Sequence, residues 1–151
     1  MKRAAFAGVA VFLAWSVLDF LIHGLMLQST YETTASLWRP MEEMKMGLMY
    51  IVGAVGAAAF VGLYTALVNP KSMAAGLKYG LLFGIATGFP MGFGTYCVMP
   101  VPVHLAFVWF GGSLVEAVVG GAIAGAIIRP SGFARNMDQQ FAARERKNRA
   151  R

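Results

Sequence analysis

The chain is poor in the residues from which most enzymes build their sites. Its single cysteine, Cys97, rules out an intrachain disulfide and any thiol chemistry that needs paired cysteines. Cys97 itself reads as a small buried hydrophobe. There are only two histidines, His23 and His104, so no H-E-x-x-H zinc helix exists. A G-x-S-x-G elbow and a phosphate-binding loop are also missing. Catalysis is therefore the least supported class of function. Charge is scarce as well: 13% of residues are Asp, Glu, Lys or Arg, against roughly 25% in soluble domains. With 58% hydrophobic residues and a mean hydropathy of +0.60, the composition is that of a membrane protein with one domain.

What the chain has in excess is glycine, and part of it is ordered. Gly76, Gly80, Gly84, Gly88 and Gly92 recur every four residues in an apolar run, which leaves one face of a helix as bare backbone. Each glycine costs roughly 1 kcal/mol relative to alanine in an aqueous helix. In lipid, such a face gains close van der Waals contact and Cα–H···O bonds when another helix presses on it. The spacing predicts a glycine zipper, at the centre of the bundle or at a contact between subunits.

Four segments are long enough to cross a hydrocarbon core, which needs about 20 apolar residues. They lie near 4–27, 46–68, 72–98 and 104–128. Together they predict an all-α, four-span, up-down bundle over residues 1–130. Met1-Lys2-Arg3 resembles the basic start of a signal peptide, but the apolar stretch that follows exceeds the usual length of about 7–15 residues and no small-residue cleavage site ends it. The first span is expected to stay as an anchor. Asn69-Pro70 ends the second span, Pro100 and Pro102 bracket the last turn, and Arg129-Pro130 ends the fourth span. Pro90 should kink the third.

Four spans place Lys2, Arg3, Lys71, Lys78, Arg129 and the basic residues of 131–151 on one side, with only Arg39 and Lys45 opposite. The positive-inside rule then puts both termini in the cytoplasm and residues 28–45 outside, as in a bacterial inner membrane. This topology accounts for the net charge of +6 without a nucleic-acid partner. In the tail, Phe133, Met137 and Phe141 recur among arginines, a pattern suited to anionic lipid. Four helices enclose little room, so the expected partners besides lipid are further copies of the chain or a larger membrane complex.

In the outer loop, Ser29 and Glu32 have capping-box spacing, and 33–38 could form a short helix with Tyr31 and Trp38 as interfacial anchors. Pro40 suits the first turn of the second helix, where Glu42 and Glu43 would meet the favourable end of its dipole. Either glutamate could instead form a cation-collecting mouth. Met41, Met44, Met46 and Met49 crowd the same place and raise soft-metal capture, although they wrap around the helix and read better as packing.

The strongest functional signal is ionisable residues inside the spans, because a charge at that depth is costly and is usually retained for function. Asp19 and His23 are four apart and share a helix face. Glu116 stands in the stripe Gly112, Glu116, Gly120, Ala124, and is thereby presented to a neighbouring helix. At 1.5 Å per residue, Asp19 lies roughly 12 Å and Glu116 roughly 18 Å below the outer surface. The three can form one polar cluster, which His104 would extend outward. Four readings follow: a hydrogen-bonded pair that fixes helix register, proton or cation handling by a transporter or channel, membrane metal binding, and a non-catalytic accessory subunit of a larger complex.

Overall fold

The computed structural model describes residues 1–128, and the regular structure there is entirely helical. The tail and the Arg129-Pro130 stop lie outside the described residues. In chain order the elements are α1 (Lys2–Asp19), a π-helical turn (Phe20–Met26), α2 (Gln28–Thr33), two 3-10 turns (Ala35–Leu37 and Met41–Glu43), α3 (Met46–Leu67), α4 (Met73–Phe89), a second π turn (Pro90–Gly94), α5 (Thr95–Val98) and α6 (Val103–Ile127). Four stretches are long and apolar enough to cross a membrane: Lys2–Met26, Met46–Leu67, Met73–Val98 and Val103–Ile127. The chain has the build of a multi-pass membrane protein.

The central helix is α6, which packs against α1 on one side and α4 on the other. The four-residue glycine spacing explains how α4 approaches so closely. Gly76, Gly80, Gly84, Gly88 and Gly92 are all buried. A methyl group on Gly76 would meet the carbonyl oxygen of Gly121, and one on Gly80 that of Ala117. On Gly84 it would lie 2.9 Å from the Leu114 Cα, and on Gly88 2.8 Å from the Ser113 Cβ. The α6 side of this contact is built from Ala117, Gly121 and Gly125. The Gly112 to Gly120 stripe faces elsewhere, with Gly112 against Ile22 and Gly120 against Trp15 and Phe60.

Helix α3 is held mainly by its second half. Ala57, Phe60, Val61 and Tyr64 are buried in a core with Ala7, Val11, Ala117 and Ala124. Aromatic side chains bridge to α4: Tyr79 donates to the Phe60 carbonyl at 2.8 Å and Tyr64 to that of Ser72 at 3.2 Å. By contrast, every residue from 46 to 52 is exposed. A second core, of Ile22, Leu27, Val101, Leu105 and Trp109, closes the end of the bundle that carries residues 28–45.

Several local expectations are corrected. The short helix begins at Gln28 and has no side-chain cap, so Ser29 caps nothing, and Glu32 instead accepts from Gln28 Nε2 at 3.2 Å. Pro40 precedes a 3-10 turn, and α3 starts only at Met46. Glu42 and Glu43 therefore sit in that separate turn, exposed. The helix irregularity expected at Pro90 takes the form of a π turn, since a proline cannot donate the α-helical hydrogen bond.

Candidate functional site

The polar residues of the first span gather where α1 passes into its π turn. A π turn holds one more residue than an α turn and is frequent at functional sites. Asp19 ends α1 and His23 lies within the turn. Their side chains meet at 3.8 Å, from His23 Nε2 to Asp19 Oδ1. On the far edge of the ring, His23 Nδ1 is 2.6 Å from the Tyr31 hydroxyl. A bend at Leu27 brings Tyr31 over the histidine, with the two rings stacked at 6.0 Å. Trp109 of α6 donates its indole N–H to the same hydroxyl at 3.0 Å. Trp38 packs edge-on against both Tyr31 and Trp109.

Tyr31 and Trp38 thus pack within the bundle, against Trp109 and each other. Burial pushes the Tyr31 hydroxyl above its ordinary value; the hydrogen bond from Trp109 opposes that rise and the charge of Asp19 adds to it. The group is a neutral phenol at physiological pH.

Glu116 comes to the site from the middle of α6. Its Oε1 is buried and has no hydrogen-bond partner among the described residues. Asp19 lies near enough to act on it electrostatically. One helical turn away, the Trp15 indole donates to the Glu116 backbone carbonyl at 2.6 Å and anchors α1 at this level. Glu116 and His23 line one small cleft with Ile22, Met91, Trp109, Gly112 and Ser113. Ile22 and His23 come from one π turn and Met91 from the other, so both helix irregularities border the cleft. It holds about 10 Å³, room for about one water.

Of the residues singled out in the sequence, Asp19, His23 and Glu116 come together. His104 does not join them; it is exposed on α6 and bonds Thr30 of α2 at 3.0 Å. Glu42 and Glu43 take no part in the cleft. Among the described residues no three His, Cys, Asp or Glu side chains are grouped as a metal site requires. The sequence reading missed Tyr31, Trp109 and Met91 as members of the site. Eight positions along one helix separate two residues by about 12 Å, so only the bend at Leu27 reveals the contact. Comparison with protein families finds no matching family, and comparison with curated proteins and with solved structures finds no match to this chain.

Proposed function

We propose that this is a small inner-membrane protein, an up-down bundle closed by a glycine zipper, that binds and releases a proton or another cation at Asp19, His23 and Glu116. The observation that carries this reading is the buried, unpartnered oxygen of Glu116 beside a second carboxyl group inside the spans. Among the described residues the basic side chains of the spans are Lys2, Arg3 and Lys78, all toward the opposite end. The positive charge that balances these carboxyl groups is then a proton or a bound cation. An assembly of copies supports transport better than one chain does. Asp19 is 59% exposed although it lies within a span, and an ionisable side chain there calls for a protein neighbour rather than lipid. The termini are placed in the cytoplasm by the distribution of Lys and Arg.

Reconstituted vesicles test this. Asp19→Asn and Glu116→Gln keep shape while removing the titrating group. Each is expected to preserve folding and oligomer size but abolish proton- or cation-dependent flux. Flux that survives both substitutions would overturn the proposal.

A second reading has its own support. The cleft admits about one water and no solute, as suits an accessory subunit whose polar cluster only holds helices together. Wild-type vesicles showing no flux under proton, sodium or divalent-metal gradients would favour it.

A further inference from the structure

Hydrogen-bond bookkeeping around Tyr31 assigns more than a packing role to the aromatic residues above the cluster. An indole N–H can only donate, so the Tyr31 oxygen accepts from Trp109 at 3.0 Å. The phenol's own hydrogen is then free, and the polar atom beside it is His23 Nδ1 at 2.6 Å. A neutral imidazole that accepts at Nδ1 carries its hydrogen on Nε2. That nitrogen is the one facing Asp19, at 3.8 Å. Glu116 lines the same small cleft as His23, within electrostatic reach of Asp19.

We propose that Tyr31, His23 and Asp19 form a directional proton relay to Glu116, with Trp109 as the positioning residue that orients the Tyr31 hydroxyl. The inference rests on the proton-binding reading of the cluster and adds the side from which the proton comes. A proton from external water binds the Tyr31 oxygen while that residue's own hydrogen passes to His23 Nδ1. The resulting imidazolium releases its Nε2 hydrogen to an Asp19 oxygen, after side-chain rotation closes the 3.8 Å gap. The Asp19 carboxyl then gives this hydrogen to a carboxylate oxygen of Glu116 and returns to its ionised form, so Tyr31 and Asp19 end as they began and one proton has moved inward. The imidazole, now protonated on Nδ1, regains its first tautomer by exchange with water at its partly exposed edge. The ionisable groups surrounding His23 are Asp19 on its own helix, Tyr31 on α2 and Glu116 on α6; His104 is engaged by Thr30 instead.

The test uses the full chain, labelled with ¹⁵N-histidine, in lipid vesicles. Nitrogen chemical shifts report the tautomer of each histidine, and a trapped pH dye reports proton uptake after acidification of the 28–45 side. Wild-type His23 is expected as the Nε2–H tautomer. Tyr31→Phe should give a tautomer mixture at His23, leave His104 unchanged, and slow uptake by about a hundredfold, the lower end of what a positioned proton-transfer group contributes. The amount of proton finally bound should be unchanged. Trp109→Phe keeps Tyr31 but frees its oxygen, and should also mix the tautomers; it serves if Tyr31→Phe fails to fold. A wild-type His23 protonated on Nδ1 overturns the relay, as does uptake at the wild-type rate in Tyr31→Phe. Those results leave the proton-binding reading standing. Wild-type vesicles that take up no proton overturn both.

Discussion

Tyr31 shows how much a single side chain outside the spans can govern inside them. Its hydroxyl joins α2 to α1 through His23 and to α6 through Trp109. These contacts involve the neutral phenol, and burial holds its ionisation above the ordinary value of 10.0. A group whose folded pKa is raised contributes stability that is fully present below the unfolded pKa and is lost as pH rises through the folded one. Ultraviolet titration of phenolate should therefore show a step above pH 10 that Tyr31→Phe removes, with loosening of the 28–45 region over the same range in the wild type. Asp19 and His23 are visible in the sequence because four-residue spacing places them on one face by helix geometry alone. Tyr31, Trp38 and Trp109 are not, since their meeting depends on the bend at Leu27 and on which face of α6 points inward.

Helix α4 carries its packing instruction in plain sight, but the surface that receives it is harder to read. The glycine run is periodic, and its burial against α6 follows from that period. On α6 small residues occur on two adjoining faces, 112–120 and 117–125, and the sequence does not say which of them meets α4. Gly80→Ala and Gly121→Ala should each lower unfolding stability in detergent by about 1–3 kcal/mol, the usual cost of overpacking, because the added methyl meets backbone rather than a movable side chain. Gly62→Ala is the control. Nothing lies within 4 Å of its added methyl, so it should be neutral or stabilising by up to about 1 kcal/mol. Equal losses at all three positions would contradict the close α4–α6 contact. Helix boundaries were less legible than helix existence. Pro40 is a favoured first residue for a helix, yet here a 3-10 turn intervenes before Met46, because a proline permits a helix start without compelling one.

The four spans and the distribution of Lys and Arg predict an arrangement across the bilayer that can be tested. Reporter fusions should read cytoplasmic at Asn69 and external at Ser36; a cytoplasmic signal at Ser36 would overturn the span assignment and, with it, the external origin of the relayed proton. The number of spans was readable from hydropathy because a bilayer imposes a minimum length on each. Their lateral order was not, since hydropathy does not name each span's partner and only contact geometry puts α6 between α1 and α4. That order bears on how the protein is made. The helix on which two others depend is the last of the four to leave the ribosome, so α1 and α4 enter the bilayer before the surface they fit has been synthesised. Until then the Trp15 indole lacks the Glu116 carbonyl, and the glycine face of α4 lies open to lipid. The arrival of α6 then supplies the surface that α1 and α4 share and brings Glu116 into the cleft with His23.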